Sequence, residues 1–140
     1  MTLLDTNVLI YGFDLSSPHH SWARGIIRSS ILGDGAAVNP VILAEYLAGE
    51  QAPDTVITRL TAFGIAILDL PSMAAPRCAK AYASYLENRR QQTAPLTPKS
   101  PLPDFFIGAH ASTLNLPIAT ADLGRYQTYF PEVKLITPER

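Results

Sequence analysis

The stretch Leu3-Leu4-Asp5-Thr6-Asn7-Val8-Leu9-Ile10 sets an acid, a hydroxyl and an amide between two apolar runs. A buried strand that ends at a rim, where a helix begins, has this pattern. Carboxylates are depleted in strands, so Asp5 needs a reason. One reason is capping: Asp5 or Asn7 can accept backbone N–H groups at the start of the following helix. The other is a metal or phosphate at the carboxyl end of a strand, where open α/β sheets place their sites. Taken by itself the spacing is explained by a cap. The other acids have to decide between the two.

Outward from this stretch, strands and helices alternate. Residues Thr2–Asp5 predict a buried strand and Asn7–Tyr11 a short helix or turn closing near Gly12. Trp22, Ile26 and Ile27 recur at helical spacing, which predicts an amphipathic helix over Pro18–Leu32. His19 and His20 open it and read as exposed, since no third His or Cys lies at ligand spacing. Gly33-Asp34-Gly35 is a turn. Ala36–Asn39 predicts a second strand, and Pro40 suits the first turn of a helix continuing through Val41–Ala48. A further helix is expected over Thr55–Phe63, with Val56, Leu60 and Phe63 on one face, and a third strand over Ile65–Leu70. Ser72 can cap a longer helix reaching Arg90, with Ala79, Tyr82, Ala83 and Leu86 as its apolar face. Gln91–Pro103 carries four prolines and reads as a stiff, extended loop. Asp104 then opens a helix to about Asn115. Pro117–Thr120 is a fourth strand, Asp122–Tyr126 a short helix and Val133–Ile136 a last strand. This order predicts one α/β domain over residues 1–140, with a mainly parallel sheet of four to five strands covered on both faces.

At 140 residues, 47% hydrophobic and 16% charged, the chain has the composition of an ordinary globular domain. The single cysteine, Cys78, forbids an internal disulfide and fits a reducing compartment. No apolar run approaches membrane-spanning length. The first residues lack a basic leader, so a cytoplasmic location is expected. A net charge of −1 argues against a strongly basic nucleic-acid binder. Setting four clustered acids aside would leave the remainder at +3.

Four acids share one topological position. Asp5 ends the first strand, Glu45 lies in the helix after the second, Asp104 begins a helix after the proline-rich loop, and Asp122 follows the fourth strand. In a parallel sheet all four fall at the carboxyl edge. Converging carboxylates without a counter-charge repel, and some take up protons. A divalent cation resolves this, and oxygen ligands suit Mg²⁺ or Mn²⁺. Such a centre activates water and clamps phosphate oxygens. Each acid alone is explained as a helix cap or a surface charge. Four at one edge favour a metal site.

Asp5-Thr6-Asn7, Leu43-Ala44-Glu45, Pro103-Asp104-Phe105-Phe106-Ile107-Gly108-Ala109-His110-Ala111 and Ala119-Thr120-Ala121-Asp122 together resemble the PIN-domain family. Within that family the chain is most similar to the VapC-like toxin nucleases of bacterial toxin–antitoxin pairs. Each motif is short; the ordered set, spread over nearly the whole chain, carries the resemblance. It implies a three-layer α/β/α, Rossmann-like fold and Mg²⁺- or Mn²⁺-dependent endoribonuclease activity. It maps Asp5, Glu45, Asp104 and Asp122 onto the catalytic acids, with Asp5 and Asp104 as the chief metal ligands. It maps Thr6, Asn7 and Thr120 onto the polar residues that hold those carboxylates in a ligating pose. The products it implies are a 5′-phosphate and a 3′-hydroxyl, and the partners are an RNA substrate, a cognate antitoxin and a second copy of the chain. Ala121 departs from the basic or amide residue that many relatives carry there.

Arg125, one turn beyond Asp122, is a candidate phosphate contact, as are Arg89, Arg90 and Lys99 beside the proline-rich loop. Two other readings stand beside the nuclease. A Mg²⁺-dependent phosphatase or phosphotransfer domain also begins from an Asp at a strand end, but the phosphatase pattern needs a second acid where Asn7 stands. A non-catalytic binding module on the same fold has no need of all four acids.

Overall fold

The computed structural model describes residues 1–91 and 101–138. Five parallel strands form one sheet: β1 (Thr2–Leu4), β2 (Ala36–Val38), β3 (Ile65–Ile67), β4 (Ile118–Ala119) and β5 (Leu135–Ile136), in the order β3-β2-β1-β4-β5. β1 sits at the centre, pairing Leu3 with both Ala37 and Ile118. β1 and β2 are buried along their whole length, as strands covered on both faces must be.

The helices between strands are α1 (Thr6–Gly12), α2 (His20–Leu32), α3 (Pro40–Leu47), α4 (Pro53–Phe63), α5 (Ala75–Arg90), α6 (Leu102–Leu114) and α7 (Gly124–Tyr129). The chain steps from β1 to β2 to β3 in one direction, then crosses back to β4 and β5. Right-handed crossovers put α1–α4 on one face of the sheet and α5–α7 on the other, which makes the three-layer sandwich. The reversal occurs between β1 and β4, and their carboxyl ends flank the crevice that such a switch point creates.

Several expectations shift by a residue or a turn. The strand expected over Ile65–Leu70 stops at Ile67. Pro71 starts a single 3₁₀ turn, Ser72–Ala74, so Ser72 makes no side-chain cap for α5. Of the apolar face expected on α5, Tyr82 does pack against the core, but Ala79, Ala83 and Leu86 are exposed, whereas Cys78 and Ala81 are buried. Two overlapping stripes exist at helical spacing, and aromatic packing of Tyr82 and Tyr85 on Phe105 selects the second. The helix expected from Asp104 begins at Leu102, with Pro103 in its first turn, where a missing N–H does no harm. The helix expected over Asp122–Tyr126 begins at Gly124, leaving Asp122 in the preceding turn. Most of the proline-rich loop lies outside the described residues.

Helix α6 is buried on nearly every side, through Phe105, Ile107, Gly108, Ala109, His110 and Ala111. At Gly108 any Cβ would overlap the Phe130 ring, which is 1% exposed, so glycine there sets how closely the 130 region seats on α6. Asn115 ends α6 in the left-handed conformation at φ 55°. Among the described residues no helix is long and apolar enough to cross a membrane.

Candidate active site

Asp5 is both a cap and something more. Its backbone leaves β1 in extended geometry, and its Oδ1 accepts the Thr6 amide at 2.8 Å to cap α1. Its Oδ2 faces the switch-point crevice. There it accepts the Thr120 hydroxyl at 2.8 Å and the Asn7 amide at 3.3 Å. Asn7 also donates to Thr120 Oγ1 at 3.2 Å and accepts the Ala121 amide at 3.0 Å. The side chains that follow β1 and β4 are thereby laced into one network. Asp5 is only 4% exposed. Burial raises its pKa from 3.8 to about 6, with the negative charge of Asp104 adding to the rise and the Thr120 and Thr6 bonds opposing it.

The other acids converge on the same place. A cleft of about 250 Å³ is lined by Asp5, Thr6, Asn7, Ile10, Glu45, Pro103, Asp104, Asp122, Arg125 and Tyr126. Glu45, on the exposed side of α3, accepts the Thr6 hydroxyl at 2.7 Å. Thr6 thus ties α1 to α3. Asp104 stands in the first turn of α6 and receives Arg125 Nη1 at 2.7 Å. Asp122 is exposed at the rim; its Oδ1 accepts the Gly124 amide at 3.3 Å and its own amide donates to Thr120 Oγ1 at 3.0 Å. Six of the seven acids and polar residues read from the sequence therefore line one cleft, and the seventh, Thr120, is buried and bonded to Asp5.

From the sequence Tyr126, like Tyr129 and Phe130, reads as core or as a ring for stacking on bases, not as a hydroxyl facing the acids. It is 2% exposed, and its hydroxyl faces Asp5 with no partner in full hydrogen-bonding geometry among the described residues. Burial and then the charges of Asp5 and Asp104 push its pKa well above the ordinary tyrosine value, so it stays a neutral donor facing the acids. Its aromatic spacing looks like core, and only the fold turns its hydroxyl toward the cleft.

A second unforeseen pair fixes the helices that carry the acids. Asn39 caps α3 by accepting the Ile42 amide at 2.9 Å, which turns its Nδ2 toward His110 Nδ1 at 3.0 Å. Asn39 and His110 are both fully buried. The bond links α3, bearing Glu45, to α6, bearing Asp104. Asn39-Pro40 was legible as a helix start; the partner on α6 was not.

The expected basic contacts divide. Arg125 lines the cleft. Arg89 and Arg90 occupy the last turn of α5 and do not line it: Arg89 Nη1 donates to the Tyr85 hydroxyl at 3.3 Å, and Arg90 pairs with Glu87 at 3.8 Å. Position 99 lies outside the described residues. Phe130 is 1% exposed, which removes it as a base-stacking surface.

The cleft's donors are almost all oxygen, the chemistry that hard divalent cations require. Among the described residues no three His, Cys, Asp or Glu side chains stand close enough together to hold an ion as placed. Mg²⁺ is commonly held by one or two carboxylates with water completing the octahedron, and this cleft fits that kind of site.

The PIN-domain family model matches residues 2–131, so the chain belongs to the PIN-domain family. Solved structures of similar fold include FitAcB from Neisseria gonorrhoeae, at 22% identity and a TM-score of 0.68, covering 99% of this chain and 98% of that one. DNA-bound VapBC from Salmonella typhimurium is 20% identical with a TM-score of 0.68, covering 97% and 96%. The sarcin–ricin-loop-cleaving toxin VapC20 of Mycobacterium tuberculosis is 11% identical with a TM-score of 0.64, covering 96% and 99%. No curated protein matches the sequence.

Proposed function

We propose that this PIN-domain protein is a metal-dependent endoribonuclease, and that it serves as the toxin of a toxin–antitoxin pair. One observation carries the proposal: Asp5, Glu45, Asp104 and Asp122 line a single cleft at the sheet's switch point. The likeness in fold to VapBC, FitAcB and an RNA-cleaving VapC toxin supports the toxin reading.

Asp5 and Asp104 are the residues that would hold Mg²⁺ or Mn²⁺. When bound, the ion would lower the pKa of a coordinated water and neutralise charge on the scissile phosphate. Thr120 and Asn7 keep the Asp5 carboxylate aimed into the cleft. Thr6 does the same for Glu45, leaving one of its oxygens to orient and deprotonate the attacking water. Asp122, at the rim, helps order that water. The neutral Tyr126 hydroxyl donates toward the acids and to incoming oxygen. Cleavage leaves a 5′-phosphate and a 3′-hydroxyl. A cytoplasmic setting, a cognate antitoxin and a homodimer complete the proposal.

The test is incubation with total RNA and Mg²⁺ or Mn²⁺, with cleavage ends mapped, beside Asp5→Asn. Cleavage by the parent chain and none by a folded Asp5→Asn is the expected result. Equal cleavage by both, or none without any divalent binding by calorimetry, overturns it; the latter outcome favours a non-catalytic binding module.

A further inference from the structure

The cleft already contains a cation of its own. Its lining carries four acids and one base, Arg125. Gly124 opens α7 with its amide held by Asp122, and Tyr126 anchors the same turn in the core. The Arg125 backbone is thereby fixed at the rim, and its guanidinium reaches Asp104 on α6.

The bond is built to exchange. Nη1 meets Oδ2 at 2.7 Å, one contact, with the two side chains 35% and 27% exposed. The chain's structural arginine clamp looks different. Arg77 grips both Glu132 oxygens, at 2.9 and 3.1 Å, adds the Tyr129 carbonyl at 2.7 Å and lies over the Phe130 ring at 4.6 Å. A single-point, partly solvated pair is the weaker kind and is readily screened. A divalent cation held by the Asp104 carboxylate competes with Arg125 for its charge and for Oδ2, and two cations side by side in this cleft would repel.

Resting on the metal-dependent reading above, we propose that Arg125 is a displaceable counter-cation: it neutralises Asp104 in the ion-free cleft, gives way to the divalent ion, and then turns its guanidinium to the RNA phosphate. Arg125 thereby makes metal binding and RNA binding cooperative, each raising the affinity for the other by the same factor. Ion entry releases the arginine that RNA needs. In the ion-free protein the guanidinium is tied to Asp104, and RNA is held poorly.

The experiment is a Mn²⁺ titration by calorimetry, without RNA, on the parent chain, Arg125→Gln and Arg125→Lys. Arg125→Gln is expected to bind Mn²⁺ about three- to tenfold more tightly. Arg125→Lys, which keeps the charge, is expected to stay near the parent value. Under cleavage conditions Arg125→Gln should need less Mn²⁺ for half-maximal rate yet show a raised KM for RNA. A second readout is the ¹⁵N signal of the Arg125 side chain, which saturating Mg²⁺ should shift. Unchanged or weaker Mn²⁺ binding by Arg125→Gln, or an Arg125 signal indifferent to Mg²⁺, overturns this proposal while leaving the nuclease reading intact. Absence of Mn²⁺ binding in all three proteins overturns both.

Discussion

Asn39 serves two helices with one amide: its oxygen caps α3 at Ile42, and its nitrogen donates to His110 Nδ1 on α6. That bond makes Nδ1 an acceptor, so the neutral ring carries its proton on Nε2. Nε2 is buried without a partner among the described residues. Burial lowers the pKa of His110, so the ring stays neutral at physiological pH.

Replacing Asn39 should therefore be expensive. Asn39→Ala removes a cap and strands a buried ring nitrogen, a loss of about 2–4 kcal/mol in urea unfolding. Asn39→Asp keeps the cap but offers His110 an acceptor instead of a donor. The ring should move a proton to Nδ1, visible as a changed ¹⁵N pattern of His110. Retention of the parent tautomer in that variant would contradict the assigned geometry.

Asp5 gives a pH signature in the ion-free protein. Its folded pKa of about 6 exceeds the ordinary value of 3.8, so between these the folded chain holds a proton that the unfolded chain has released. The stabilisation is complete below about pH 4 and is lost as pH rises through about 6, by up to about 3 kcal/mol. Thermal melts in chelator should show this fall. Asp5→Asn should flatten it, and divalent ion should restore stability above pH 6.

Glu132 behaves in the opposite sense. The Arg77 bond, then the Ser112 hydroxyl, bring its pKa from 4.5 to about 2. Its contribution is present above about pH 4.5 and is lost as pH falls toward 2. Glu132→Gln should lower the melting temperature modestly at neutral pH and leave it unchanged near pH 2. The effect is small because the pair is partly solvated.

Gly108 tests the seating of the 130 region on α6. Gly108→Ala forces the Phe130 ring aside and should cost about 1–3 kcal/mol in unfolding experiments. Combining it with Phe130→Leu should destabilise less than the two changes summed, by about 1 kcal/mol, since both act on one contact. Simple additivity would show that the ring is not what excludes the methyl group.

The sheet and the acid edge were legible in sequence because they rest on local signals. Proline or glycine mark most element ends, and Asp5, Glu45, Asp104 and Asp122 each stand where a strand or helix meets the carboxyl edge. What escaped depends on contacts between distant segments. The buried stripe of α5 is chosen by Tyr82 and Tyr85 meeting Phe105, which no spacing within 75–90 reveals. Tyr126 looks like core until its hydroxyl is seen against Asp5. Asn39 looks like an ordinary cap until His110 is found beside it. Arg125 was expected to contact phosphate, and its pairing with Asp104 emerges only when α7 and α6 are brought together. Asp122 was expected to start a helix; the Thr120 hydroxyl holds its amide in a turn instead.

The central strand of the sheet is also the first made. Asp5 is made well before its partner: the hydroxyl that fastens its carboxylate belongs to Thr120, 115 positions later. β1 waits for β4 before its second edge is paired. A nascent or truncated chain can carry Asp5, Glu45 and Asp104 and still lack both that strand and that hydroxyl. The order of the strands thus works as a timer: the network around Asp5 closes in one step, and only once β4 has been added.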